Sequence, residues 1–218
     1  MTEIFIAGAT GYMGSRLGAR LTARGHAVAG LVRAGSERRL PEGCRPVLGD
    51  ALDCKTFSAA VPGFHTYVQL VGVAHPSPAK AREFESIDRV SCEQSLIAAK
   101  AGGVQHFVYV SVAHPAPMMK DYIRVRSECE AKILESGMRT TILRPWYVLG
   151  PGHYWPYLLK PGYWVARQIP SMRAGAMRLG LVTLEQMLGA LVAAVETAPM
   201  EMVRVVEVPE ITGFARRG

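Results

Sequence analysis

Two kinds of hydrophobic pattern take turns along this chain. Short, nearly unbroken apolar runs at 4–7, 27–32, 45–48, 66–71, 106–110, 140–143 and 203–208 read as strands. Between them, apolar residues recur at helical spacing. Met13, Leu17 and Leu21 share one face of a first helix whose other face carries arginines, and Arg24-Gly25 ends it. Phe84, Ile87, Val90, Gln94 and Ile97 mark a long helix over about 79–101, stopped by Gly102-Gly103. Further helices are predicted over 118–136, with Gly137 as cap, and over 184–196; a short one starts near Asp53. Strands alternating with helices predict an α/β fold, a doubly wound parallel sheet covered on both faces. At 218 residues the chain reads as one domain, 1–218, without internal repeat or linker.

The first strand-to-helix turn carries the strongest chemical signal. Gly8, Gly11 and Gly14 follow the strand at a spacing of three, with Thr10, Tyr12 and Met13 among them. Strand, glycine turn and helix in that order are the setting of a dinucleotide-binding turn. Gly8 turns the chain off the strand, Gly11 leaves room for a pyrophosphate, and Gly14 lets the helix pack on the sheet. The N–H groups of Gly11, Tyr12 and Met13 are expected to face the phosphates at the positive end of the helix. A tight connection that binds nothing is the other reading of such a turn. About 20 residues on, at the end of the second strand, stands Arg33. An acid there would suit the 2′-hydroxyl of NAD; an arginine suits the 2′-phosphate of NADP, so NADP(H) is the expected cofactor. Arg38 and Arg39 follow closely and add charge, and a solvated loop arginine is the alternative for Arg33. The fourth strand ends in Val71-Gly72-Val73. Ligands of open sheets lie outside the carboxyl ends of the strands, which places Gly72 beside the cofactor, where a side chain would collide; otherwise it starts a loop.

Composition narrows the partners. Hydrophobic residues make up 49% and charged ones 20%, a globular balance. Lys and Arg exceed Asp and Glu by 25 to 18, a net charge of +7. No nucleic-acid motif accompanies that excess, and a cofactor with several phosphates accounts for part of it. No apolar stretch nears the roughly 20 residues that span a bilayer. Cys44, Cys54, Cys92 and Cys129 are scattered and read as free, buried thiols. With no export signal legible ahead of the first strand, a cytoplasmic location is expected.

The segments GATGYMG (8–14), HFVYVS (106–111), Tyr122 with its downstream helix, and LRPWYVLGPG (143–152) together resemble the atypical and extended short-chain dehydrogenases/reductases, including the NmrA-like group. The resemblance covers nearly the whole chain and implies a Rossmann fold. It further implies that Asp50 and the backbone of Ala51 border the adenine ring, although Asp50 also suits a turn or a helix cap. Pro145, Trp146, Tyr147 and Val148 would flank the nicotinamide. The family's catalytic group would fall on Ser111, which polarises the substrate oxygen, and on Tyr122, which moves the proton. The family's lysine is here Arg126. An i, i+4 spacing keeps Tyr122 and Arg126 on one helical face. Arginine can favour the tyrosinate and hold ribose hydroxyls but cannot relay a proton. A packed pair without a chemical role is the alternative.

Between Ser136 and Leu184 there is no acid, while Arg139, Arg144, Lys160, Arg167, Arg173 and Arg178 are present. All three tryptophans lie there, Trp146, Trp155 and Trp164, interleaved with Tyr147, Tyr154, Tyr157 and Tyr163. Residues 146–180 are expected to be an irregular substrate lid within the domain, or else a packing subdomain. The function so implied is NADPH-dependent reduction of a small carbonyl, quinone-like or enone substrate. The second reading is a non-catalytic NADP(H)-binding sensor or assembly protein. No metal is expected, nor nucleic acid or membrane span; a homo-oligomer or a protein partner is compatible with the sequence.

Overall fold

Side chains along β1 (Glu3–Ala7) part to two cores: Phe5 and Ala7 go to one, Ile4 and Ile6 to the other, all fully buried. That two-sided burial is why the run is unbroken rather than alternating. The computed structural model describes residues 1–116, 118–151 and 179–214. Around β1 stand β2 (Ala27–Val32), β3 (Arg45–Leu48), β4 (Thr66–Gln69), β5 (His106–Val110), β6 (Thr140–Arg144) and, late in the chain, β9 (Val203–Glu207). All pairings are parallel, in the order β3-β2-β1-β4-β5-β6-β9. Parallel neighbours require crossovers, and helices supply them.

α1 (Tyr12–Ala23) buries Leu17 and Leu21 on the Ile4–Ile6 side. α5 (Leu184–Glu196) covers the same side and opens on a capping box between Thr183 and Gln186. The other side holds a row of rings: Phe5 lies 5.0 Å from Tyr67, and Tyr67 lies 5.5 Å from Phe107. α3 (Val90–Ala101) and α4 (Lys120–Glu135) cover them. Small helices α2 (Ala81–Glu83) and α6 (Val208–Ile211) are the other α-helices among the described residues.

Two expectations change. The helix expected over 79–101 is not uniform: Pro78–Lys80 is 3-10, and Phe84–Arg89 is π-helical. The buried positions nevertheless keep helical spacing through the wider turn. Phe84, Asp88, Ser91, Cys92, Ser95 and Leu96 face inward, while Ile97, expected inside, is 54% exposed. Second, residues 146–180 do not begin as an irregular insert: β7 (Tyr147–Leu149) pairs in parallel with β8 (Leu181–Thr183). The remainder of that expected lid, including Trp155, Trp164, Tyr154, Tyr157 and Tyr163, lies outside the described residues.

Candidate functional site

β1 and β4 are the two strands from which the chain proceeds to opposite edges of the sheet, so their carboxyl ends leave a crevice. Two adjoining cavities fill it, and Gly8, Gly11, Leu70 and Gly72 line both. The first, about 380 Å³, is walled by Thr10, Val32, Arg33, Arg39, Asp50, Ala51 and Val71. The second, about 420 Å³, is walled by Tyr12, Met13, Gly14, Val73, His75, Tyr122, Arg126, Trp146, Tyr147 and Val148.

The glycine turn is shaped by contacts of the chain with itself. Gly8 has φ +85°, and a Cβ there would lie 2.9 Å from the Leu70 carbonyl carbon. A Cβ on Gly14 would lie 2.1 Å from the Gly8 carbonyl oxygen, so α1 could not pack where it does. A Cβ on Gly11 would approach only the Gly8 oxygen, at 3.1 Å. One expectation is corrected here: the Gly11 N–H donates to the Gly8 carbonyl at 3.0 Å and does not face a phosphate. The first turn of α1 has no side-chain cap and no acid, and its N–H groups have no intrahelical acceptors. Met13 and Gly14 belong to that turn and line the second cavity. This is a cradle suited to an anion.

At the far end, Arg33 is exposed, and its loop partner Arg39 donates to the Thr10 carbonyl at 3.3 Å. No acid stands at the end of β2. Asp50 accepts from the Leu52 N–H at 3.0 Å, so it shapes its own turn while lining the cavity.

At the opposite end the arrangement departs from expectation. Tyr122 is half-buried, its ring 4.9 Å from Phe84, with the Arg126 guanidinium 5.2 Å from the ring centroid. Arg126 is 6% exposed. It donates through Nη2 to Asp88 Oδ1 at 2.5 Å, and through Nη1 to the Val110 carbonyl at 2.7 Å and the Tyr109 hydroxyl at 3.2 Å. The other oxygen of Asp88 accepts from the Val73 N–H at 3.0 Å. Arg126 therefore ties α4 to β5 and to the π-helical turn. Burial pushes the Asp88 carboxyl up, opposed by Arg126 and the Val73 N–H. Burial also pushes the Tyr122 phenol above its ordinary value; Arg126 opposes this and Asp88 adds to it. Gly72 matters for a further reason: a Cβ would lie 2.3 Å from Arg126 Nη2, so the glycine makes room for the ion pair.

Ser111 is not on the cavity wall. It is buried at 3% exposure behind Val110, its N–H donates to the Leu143 carbonyl at 2.7 Å, and its Oγ has no partner among the described residues. The structure thus brings Tyr122, Arg126 and residues 146–148 together and sets Ser111 back. Pro145 is buried, and its carbonyl accepts from Ala113 at 2.9 Å, which joins the loops after β5 and β6. Asp88 and His75 were not anticipated. Asp88 could have been noticed as an acid four residues after Phe84 on an apolar face; nothing marked His75, an exposed loop residue with φ 51°.

Strand order, glycine cradle and tyrosine-bearing helix define a nicotinamide-dinucleotide-binding protein of the extended short-chain dehydrogenase/reductase class. Residues 8–152 match the model of an NAD(P)H-binding family, and the chain belongs to that family. A 3-diazoavenalumate denitrifying reductase of a Streptomyces species is 30% identical over 224 residues, covering 89% of this chain and 72% of the relative. A 4-hydroxy-2-methyl-3-oxo-4-farnesyl-3,4-dihydroquinoline-1-oxide ketoreductase of Stigmatella aurantiaca is 25% identical over 168 residues, covering 67% of this chain and 50% of the relative. Among solved structures, the Bordetella bronchiseptica enzyme WbmH in complex with NAD+ shares the fold with TM-score 0.69 at 19% identity, over 95% of this chain and 75% of that one. UDP-glucuronic acid 4-epimerase from Bacillus cereus in complex with NAD does so with TM-score 0.67 at 17% identity, over 94% and 77%. The protein is an NAD(P)-binding oxidoreductase.

Proposed function

We propose that this protein uses NADPH to reduce a small carbonyl, quinone-like or enone substrate, with Tyr122 as the proton donor. The observation that carries the reading is the placement of Tyr122 on the wall of the cavity that continues from the glycine cradle, opposite Trp146 and Tyr147. Arg33 and Arg39 would hold the 2′-phosphate, Asp50 and Ala51 the adenine edge, and the first turn of α1 the pyrophosphate. Val71–Val73 and Pro145–Val148 would border the nicotinamide, with Trp146 and Tyr147 meeting edge-to-face at 5.4 Å beside it. When bound, the cofactor supplies a hydride to the substrate carbon. The electron pair of the reduced bond moves to oxygen, which takes the Tyr122 proton; water restores it. The reading assigns no step to Ser111. Both curated relatives are named for reductions, one of a diazo compound and one of a ketone, which supports the reductive direction.

A second reading, a cofactor-loaded sensor or assembly protein, is favoured by one feature: both terminal nitrogens of Arg126 are engaged by the protein itself. Steady-state oxidation of NADPH and NADH against a panel of quinones, aldehydes and enones separates the two. Turnover on at least one substrate, with NADPH preferred, is expected. Tight NADPH binding with no turnover on the whole panel would favour the sensor.

A further inference from the structure

Arg126 occupies the place from which a cation could draw the proton off Tyr122, yet the structure spends its charge elsewhere. The guanidinium is held by Asp88 at 2.5 Å, the Val110 carbonyl at 2.7 Å and the Tyr109 hydroxyl at 3.2 Å. The Asp88 side chain is fully buried, and its second oxygen is fixed by the Val73 N–H, so the carboxylate cannot swing away. Asp88, four residues after Phe84 in the π-helical turn Phe84–Arg89, lies on the same inner face. Among the described residues, the charged and titratable groups around Tyr122 come from several elements, Tyr12 and Tyr147 among them as walls of the same cavity. Arg126 and Cys129 come from its own helix, Asp88 from the turn beside Phe84 and Tyr109 from β5 behind Arg126; His75 lines the same cavity wall. Asp88 offsets Arg126 in part: Arg126, over the Tyr122 ring, still lowers the phenol's pKa more than Asp88 raises it.

We propose that Asp88 is a positioning residue for the proton donor: it holds Arg126 against the end of β5 and offsets its charge, so that Tyr122 stands beside an ion pair and not a bare cation. The inference rests on the reading of Tyr122 as proton donor. In reduction, the substrate carbon gains a hydride, its oxygen gains the phenol proton, and the cofactor leaves oxidised. Alcohol oxidation would need the reverse, a tyrosinate that takes the hydroxyl proton while the hydride returns to the oxidised cofactor. Removing the anion of the pair shifts Tyr122 toward the phenolate from which the reverse reaction starts, and so moves the pH dependence of both directions together. The burial that pushes Tyr122 up acts in the same sense as Asp88.

The test is an ultraviolet titration of tyrosinate in the full chain. Each protein is read against its own Tyr122→Phe counterpart, so that only Tyr122 is counted. In the wild type no Tyr122 tyrosinate should appear below about pH 10. Asp88→Asn leaves Arg126 unbalanced and should bring the transition down by about one to two pH units. Asp88→Asn/Arg126→Gln removes both charges and should return it to the wild-type position or above. On a confirmed substrate, Asp88→Asn should move the pH profile of kcat/KM to lower pH by the same shift of about one to two units, in reduction and oxidation alike. A wild-type Tyr122 that titrates below about pH 9 overturns the proposal. So does a folded Asp88→Asn that titrates like the wild type. Should Asp88→Asn not fold, the wild-type transition and the neutral double variant decide. The titration needs no substrate: the expected shifts without any turnover would sink the reductase reading alone, and turnover with an early wild-type transition would sink this inference alone.

Discussion

Single atoms decide whether this site can exist. At Gly72 a methyl group would lie 2.3 Å from Arg126 Nη2 and 3.1 Å from Asp88 Oδ1. Gly72→Ala should therefore split a buried ion pair and destabilise the protein by about 2–4 kcal/mol, read from urea unfolding. An unchanged midpoint would mean that the pair can move aside. Tyr122→Phe keeps the ring against Phe84 and removes the hydroxyl, so turnover should fall by about 10²–10⁴-fold while NADPH affinity stays put. Full activity in that variant would take Tyr122 out of the mechanism. At the other end, Arg33→Asp should weaken NADPH by about 1.5–3 kcal/mol in calorimetry, with NADH much less affected. Equal wild-type affinity for the two cofactors would contradict the assignment.

Among the elements, the segment from Pro78 to Ala101 departs furthest from its pattern. Phe84, Asp88, Ser91 and Ser95 share one helical face and are buried, Ile87 packs beside them, and Ile97, on the opposite face, is exposed. The polar groups so buried find partners: the Tyr67 hydroxyl meets Ser95 at 3.1 Å, and Gln69 donates to Ser91 at 3.0 Å. Strand β4 and this helix are thus joined by side-chain hydrogen bonds as well as by apolar contact. Phe84→Ala should cost about 3–5 kcal/mol, whereas Ile97→Ser should fall within about 0.5 kcal/mol of wild type. The reverse ranking in thermal or urea unfolding would put Ile97 on the inner face.

For the whole molecule, pH exposes one buried group. His106 is fully buried between β4 and β6 and meets the Thr141 hydroxyl at 3.0 Å. Burial first, then the charges of His65 and Arg139, lowers its pKa from 6.5 to about 4. The unfolded chain therefore binds the proton more readily than the folded one between those values. Stability is full above pH 6.5 and is lost as pH falls toward 4. The loss should approach about 1.4 kcal/mol for each unit of the shift crossed. Urea midpoints near about pH 7.5 and pH 4.5 should differ by less in His106→Asn than in the wild type. An equal drop in both would assign the acid sensitivity to other groups.

Local pattern was enough for the architecture of this protein. The strands over Ala27–Val32, His106–Val110 and Thr140–Arg144 lie within a residue of where apolar runs end, because a strand buried on both faces must be apolar throughout; the edge strands Arg45–Leu48 and Val203–Glu207 follow theirs as closely with one buried residue each. The glycine turn was legible because Gly8 and Gly14 answer to neighbours close in the chain or to their own φ, and Arg33 because it ends a strand. What the sequence could not carry were relations between distant segments. Asp88 shares the helical face of Phe84, and only the packing of α4 on that face sets it against Arg126, 38 residues on. Ser111 followed a strand as expected, yet the loop joined to Pro145 holds it behind Val110. Gly72 lines both cavities, and that it also leaves room for a guanidinium was not legible. The charge on Arg126 is a property of the residue; whether that charge reaches Tyr122 depends on which carboxylate is packed beside it, and packing between segments is settled only when the sheet has closed around them.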